Sequence, residues 1–341
     1  MTAKTGRLAA TAMALLTLAL AGTAGAQTVL RYNWWIPANH LTRVKIMDVW
    51  AKQVESATEG RVKIEFTTTS LGIPPRQFDL VKDGVVDMAM GVHGYTPDRF
   101  ILPTVAELPF MSDSAESLSV ALWRTHQKLF AEKNEYQGVR LLGLMAHGPG
   151  SIWSTKAPIR NVADIKGLKV RAGGGLQNDI IARLGAAVVS APAPQTYELL
   201  SRGVADATLF TNDAVGSFGL GKVLRYNTRI PGGIFNSTFF VIVNEARFNA
   251  IAAQDRAAIE RVSGEAFARL AGAAWDSTDR EVTATLKDSQ VIQAEGPFLA
   301  EIRDSLKEFE SKWIADARTK RGVDGNAALQ FMRSEISGYR R

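Results

Sequence analysis

An arginine that could pair with a carboxylate, Arg171, stands at the end of a predicted strand and directly before three glycines. Apolar and charged residues alternate over residues 168–172, which is the period of a β-strand. Residues 176–184 instead place leucine and isoleucine at helical spacing, so the glycines at 173–175 form a turn between a strand and a helix. The pattern therefore predicts that Arg171 lies at the carboxyl edge of a sheet, where open α/β folds bind ligands.

The chemistry available at this position is anion binding. A guanidinium group is a planar fork that matches a carboxylate, and the start of the following helix presents unpaired N–H groups to the same anion. The alternative is that Arg171 is a structural or solvated side chain and that the glycines serve only the turn. A dinucleotide-binding loop is a weaker interpretation, because the third glycine of that motif would fall at Asn178.

The stretch from 164 to 171, DIKGLKVR, resembles the signature of the solute-binding proteins of tripartite ATP-independent periplasmic (TRAP) transporters. Shorter matches follow in the order and approximate spacing of that family at residues 37–40, 58–62, 71–72, 83–88 and 108–110. The resemblance implies that Arg171 pairs with the carboxylate of a substrate. It also implies that Asn236 and the loop from Phe210 to Asn212 are pocket positions.

The first 26 residues have the organisation of a secretory signal peptide. Lys4 and Arg7 precede an apolar run over residues 8–20, and small residues at 24–26 provide a cleavage site. The run is too short for a permanent membrane helix, so we predict export to the periplasm; an uncleaved anchor is the alternative. Loss of this segment lowers the formal charge from +6 to +4, which does not indicate nucleic acid binding.

The alternative class is an exported enzyme, but the sequence contains few of the motifs that catalysis would require. The chain has no cysteine, and its four histidines lack the spacing of a zinc site. Residues 216–223 approach a nucleotide-binding loop, but Val223 replaces the hydroxyl residue that should hold Mg²⁺. Single acids near predicted strand ends, such as Glu107 and Asp213, form no defined catalytic pair. We therefore predict no catalytic residue, no metal and no cofactor.

Strands and helices alternate from residue 29 to residue 92, which predicts an α/β class with an open, helix-covered sheet. The length favours two domains. Together with the family resemblance, this predicts the two-domain periplasmic-binding-protein (Venus flytrap) fold, with a ligand cleft between domains.

The predicted domains are discontinuous because the chain crosses between them more than once. Domain I is predicted over residues 27–148 plus 237–276, and domain II over 149–236 plus 277–341. A long helix predicted over residues 251–286 spans both domains. A further helix over 298–317 is predicted to close the second.

Aromatic residues recur at or just after predicted strand ends, where two facing domains would form a cleft. Any one of them could equally pack in a core. With the residues implied by the family resemblance and by the domain crossing, the candidate substrate-binding set is Trp34, Trp35, His93, Tyr95, His147, Gly150, Arg171, Phe210, Asn212 and Asn236.

One departure from the family pattern bears on the ligand. Many relatives carry a second basic residue where this sequence has Gly150, and His147 is the only nearby substitute. A second carboxylate buried without a cation would cost several kcal/mol. Since the candidate lining is also aromatic, we predict a monocarboxylate with an apolar or aromatic body.

The resemblance also implies partners. It predicts a monomeric, non-enzymatic protein that delivers its ligand to an integral membrane TRAP permease. A receptor module that reports the ligand to a signalling partner is a further alternative.

Overall fold

The computed structural model describes residues 27–286 and 290–340, which form two lobes, each built on one β-sheet covered by helices. The predicted signal peptide, residues 1–26, lies outside the described residues. The strands are β1 (Thr28–Asn33), β2 (Val62–Phe66), β3 (Met88–Val92), β4 (Val139–Ala146), β5 (Ser151–Ser154), β6 (Lys169–Ala172), β7 (Ala187–Ser190), β8 (Ala207–Phe210), β9 (Tyr226–Arg229), β10 (Thr238–Asn244) and β11 (Val291–Gln293).

The α-helices are α1 (Asp48–Ala57), α2 (Gln77–Lys82), α3 (Ala115–Thr125), α4 (Leu176–Arg183), α5 (Thr196–Ser201), α6 (Asn212–Ser217), α7 (Glu245–Asn249), α8 (Ala253–Arg261), α9 (Gly264–Thr283), α10 (Gly296–Leu306), α11 (Glu308–Arg321) and α12 (Gly325–Gly338). Within the described ranges, none of these helices is long and apolar enough to cross a membrane.

The first lobe is built on a five-stranded sheet in the order β2-β1-β3-β10-β4. β1 pairs in parallel with β2 and β3, whereas β10 runs antiparallel between β3 and β4. All five residues of β3 are buried, as its continuous apolar run predicts. The alternating α/β class predicted for this half is confirmed.

The second lobe is built on a six-stranded sheet in the order β11-β9-β5-β8-β6-β7. Sequence patterns predict β6 and β8 but not β5, β7, β9 or β11. All four residues of β5 are buried, and β7 is an edge strand with mostly exposed side chains, so neither strand alternates between buried and exposed positions.

The chain passes between the lobes at the ends of three elements. β4 leads to β5, β9 leads back to β10, and α9 leads to β11. The side-chain amide of Asn236 ties the first two crossings together, because it donates hydrogen bonds to the carbonyls of His147 (3.0 Å) and Gly148 (2.8 Å).

The long helix that reaches both lobes is α9, which packs on α3 and β4 of the first lobe and on α6 of the second. The predicted start at residue 251 is wrong. Gly264 has a φ of +59°, and a Cβ there would lie 2.7 Å from the Trp123 ring, so a glycine in a left-handed turn separates α8 from α9.

The C-terminal helices, which are predicted in the second domain, also make contacts with the first lobe. The indole N–H of Trp313 on α11 donates to the Ile101 carbonyl (2.9 Å), and α12 packs on α3, so both contact the first lobe. Amphipathic periodicity predicts a buried face but does not state which sheet it covers. The domain division otherwise stays a prediction.

Candidate ligand-binding site

A small cavity lies between the lobes, and its lining includes Arg171 and a largely aromatic wall. Its volume, measured by the centre of a water-sized sphere, is about 60 Å³. Five of the predicted site residues line it: Trp35, Tyr95, His147, Arg171 and Phe210. The sequence thus points to one cavity through residues that are spread over about half of the chain.

Arg171 reaches the cavity from β6, and backbone carbonyls hold its side chain. Nε and Nη2 donate to the Ala191 carbonyl at 2.9 and 2.7 Å, and Nη1 donates to the Leu209 carbonyl at 3.3 Å. A guanidinium has five N–H donors, so two remain for a ligand. The side chain is in this way oriented before any ligand arrives.

The charge of Arg171 has no protein counterion among the described residues. The side chain is 3% exposed, and the phenol of Tyr95 is the polar side chain that acts on it. Burial lowers the pKa of Arg171, because desolvation disfavours the charged form. A buried cation in this state is strongly stabilised by an incoming anion.

The wall beside Arg171 consists of aromatic rings from both lobes. The guanidinium carbon lies 5.0 Å from the centroid of the Phe210 ring, within range of a cation–π interaction. Across the cavity the rings of Trp35 and Tyr95 are 6.0 Å apart, and the Trp35 indole donates to the Met90 carbonyl (2.8 Å). This bond fixes the orientation of the Trp35 ring.

His147 lines the cavity as a neutral ring. Nδ1 lies 2.6 Å from the Gly148 carbonyl and therefore carries the proton, while Nε2 accepts from the Ser237 N–H at 2.8 Å. Burial lowers the pKa of His147 to about 4. With one nitrogen donating and the other accepting, His147 is not a second cation near neutral pH.

A second histidine of the lining, His40, contacts an acid from the other lobe. Its Nε2 lies 3.5 Å from the Asp213 carboxyl at the start of α6. Burial lowers the pKa of His40 to about 4, while burial and then the nearby Asp279 raise the pKa of Asp213 to about 8. Near neutral pH the pair is thus uncharged and is not a salt bridge.

The remaining polar lining comes from residues that sequence reasoning missed. Gln177 on α4 accepts from the Gly173 N–H (2.9 Å) and donates to the Ser237 hydroxyl (2.9 Å), which links the glycine turn to the crossing before β10. The available signal was the position of Gln177 in the first turn of the helix that follows the glycines. The other missed lining residues are Ile36, His40, Val92, Ala193, Leu209, Phe218, Phe239 and Trp275, whereas Thr211 lies in the loop from Phe210 to Asn212 that the family resemblance implies.

Two predicted aromatic positions lie outside the cavity lining. Trp34 packs against Tyr32 and Phe66, with ring centroids 6.1 and 5.8 Å away. Trp35 lines the cavity but Trp34 does not, so the two neighbouring tryptophans have different surroundings. His93 is buried instead in the first lobe, where Nε2 lies 2.6 Å from the Tyr136 hydroxyl.

Asn212, Asn236 and Gly150 also lie outside the lining. Asn212 contacts Thr283 (3.1 Å), and Asn236 joins the crossings described above. Gly150 donates its N–H to the Phe235 carbonyl (2.9 Å), and a Cβ at this position would overlap the Phe235 ring. Because Phe235 does line the cavity, Gly150 shapes the site through its neighbour.

Two sheet-based lobes that enclose a cavity with a buried, unpaired arginine define a two-lobed solute-binding protein. The chain belongs to family 7 of the bacterial extracellular solute-binding proteins (DctP), whose model matches residues 35–316. It is a TRAP solute-binding protein, as the resemblance predicts.

Relatives and solved structures cover nearly the whole chain. The outer membrane transporter protein TsaT of Comamonas testosteroni is 36% identical over 337 residues, 97% of this chain and 98% of that protein. A TRAP periplasmic solute-binding protein of Bordetella bronchiseptica, solved with bound (R)- and (S)-mandelate, is 38% identical. The TM-score is 0.89, and the match covers 91% of this chain and 99% of that one.

A third relative is a marine metagenome TRAP solute-binding protein specific for aromatic acids, solved with 3-hydroxybenzoate. It is 29% identical with a TM-score of 0.86, and the match covers 93% of this chain and all of that one.

Proposed function

We propose that this protein captures an aromatic monocarboxylate between its lobes and delivers it unchanged to a TRAP permease. The observation that carries the proposal is the buried guanidinium of Arg171, which backbone carbonyls orient and which lacks a counterion among the described residues. A ligand carboxylate would supply that charge through a pair of charged hydrogen bonds.

The preference for a single carboxylate rests on the charges of the lining. Among the described residues, Arg171 is the one lysine or arginine in the lining, and both lining histidines have a pKa near 4. A second carboxylate would therefore be buried without a cation, which costs several kcal/mol. C4 dicarboxylates are disfavoured on this ground.

The preference for an aromatic body rests on the walls. Rings from both lobes face the cavity, and its small volume suits a compact, flat molecule. Hydroxyl-rich sugar acids would leave polar groups unpaired against ring faces. The mandelate and 3-hydroxybenzoate bound to the two similar structures are ligands of this kind.

The cellular part of the proposal follows from family membership. Extracytoplasmic solute-binding receptors of TRAP systems act with integral membrane permease subunits, and we infer that this protein does so as a periplasmic monomer without enzymatic activity. Removal of the predicted signal peptide at residue 26 would release the mature chain.

The test is native mass spectrometry of the purified protein, followed by thermal shifts with benzoate, mandelate, 3-hydroxybenzoate, succinate and glucuronate. We expect the aromatic monocarboxylates to give the largest shifts, since a ligand stabilises by RT ln(1 + [L]/Kd). The largest shift with succinate or glucuronate would refute the ligand class. Recovery of a chemically altered acid after incubation would favour an exported enzyme. Pull-down of a signalling protein without a permease subunit would favour a receptor module.

A further inference from the structure

The hydroxyl of Tyr95 bridges the two lobes at the edge of the cavity. Tyr95 follows β3 in the first lobe, and its oxygen accepts a hydrogen bond of 2.9 Å from the Ala193 N–H in the second lobe. The lobes also touch here through their backbones: a Cβ on Gly174 would lie 2.6 Å from the Gly94 carbonyl oxygen. The position of the Tyr95 hydroxyl relative to Arg171 therefore depends on the lobes being closed.

The neighbours of the Tyr95 hydroxyl donate to its oxygen, so its own proton is available to an acceptor on a ligand. A phenol has one proton to donate and can accept through its oxygen. The Ala193 N–H donates to that oxygen, and Arg171, which faces the hydroxyl and can only donate, acts to lower the pKa of Tyr95 against the rise caused by burial. No hydrogen bond in residues 27–286 and 290–340 uses the Tyr95 hydroxyl as the donor.

We propose that the Tyr95 hydroxyl is a second donor to the ligand carboxylate, placed beside Arg171 by closure of the lobes. This inference rests on the proposed function. The two oxygens of a carboxylate accept several hydrogen bonds, and the lining within the described residues has no second cation to donate them. The Tyr95 hydroxyl would provide one of these missing donors. The guanidinium and the phenol would grip it together, and the phenol adds no charge that would favour a second carboxylate.

Closure makes the role of Tyr95 different from that of Arg171. Arg171 is oriented within the second lobe alone and can capture a carboxylate while the lobes are open. Tyr95 joins from the first lobe only after closure, so its bond resists reopening. Loss of the hydroxyl should therefore raise the dissociation rate and leave the association rate nearly unchanged.

The experiment is Tyr95→Phe, which keeps the ring against Trp35 and removes the hydroxyl alone. Titration with benzoate and with mandelate should show Kd raised about 10- to 150-fold, the effect of one hydrogen bond to a charged group. Stopped-flow tryptophan fluorescence should assign the change to the dissociation rate.

The matched control is Tyr136→Phe, which removes a buried hydroxyl that contacts His93 away from the cavity. It should lower Tm while Kd stays within about twofold, since one unmade buried hydrogen bond costs stability. The inference would be overturned if Tyr95→Phe had a Kd within twofold of the wild type, or if its loss of affinity came from a slower association rate. Either result would leave the proposed function standing. Wild-type protein that binds no aromatic acid would refute the proposed function, and this inference with it.

Discussion

Replacement of Arg171 by lysine keeps the positive charge and removes the fork. The guanidinium serves two backbone carbonyls and still has two N–H groups for a ligand. A lysine ammonium has three donors at one point, so it cannot bond the Ala191 and Leu209 carbonyls and both oxygens of a carboxylate together. At least one of these acceptors loses its partner.

The expected loss of affinity follows from the number of hydrogen bonds that Arg171→Lys removes. One lost hydrogen bond to a charged group costs about 1.5 to 3 kcal/mol, so Arg171→Lys should raise Kd about 10- to 150-fold. Arg171→Ala removes the charge as well and should cost about 2 to 5 kcal/mol of binding free energy. Lysine should thus recover only a small part of the affinity.

Isothermal titration calorimetry with mandelate measures both variants. The control is Arg183→Lys on α4, the same substitution at a half-exposed arginine whose partner is Glu308 (3.1 Å). It should leave Kd unchanged, since it lies outside the cavity lining. If Arg171→Lys binds within about twofold of the wild type, roughly 0.4 kcal/mol, the two-bond carboxylate grip is wrong.

Two further predictions concern packing and pH. Gly150→Ala should push the Phe235 ring into the cavity and cost about 1 to 3 kcal/mol of stability or binding free energy. The control is Gly216→Ala, where an added Cβ meets nothing within 4 Å and the change should be neutral or slightly stabilising. Urea unfolding and calorimetry would compare the two variants, and equal effects would contradict the packing argument. Burial raises the pKa of Asp213 to about 8, so its protonated form favours folding, and that contribution is complete below about pH 4 and lost as pH rises through 8. The Tm of the wild type should therefore fall between pH 6.5 and 8.5. Asp213→Asn should reduce this fall but not abolish it, because the pKa values of Asp279 and Glu107 are also raised, both to about 7. If scanning calorimetry shows the same dependence of Tm on pH in the variant, Asp213 is ionised in the folded state.

Local sequence patterns were sufficient to predict the strand, the glycine turn and the helix around Arg171. The alternation over residues 168–172 and the helical spacing after residue 175 involve contacts within one short segment, so the sequence states them directly. The same segment carries the family resemblance, which the comparison with the family model confirms. Fold class and family membership therefore follow from the sequence.

Tertiary structure decided which side chains meet at the cavity and in what charge state. Trp34 and Trp35 are adjacent tryptophans, yet only Trp35 lines the cavity, whereas Trp34 packs against Phe66. Trp275 arrives from α9, about a hundred residues after Arg171, through helix packing that no local period encodes. His147 is neutral because burial and two specific partners fix its ring. Burial and contacts between distant segments are properties of the folded chain, whereas periodicity and motif spacing are properties of the sequence alone.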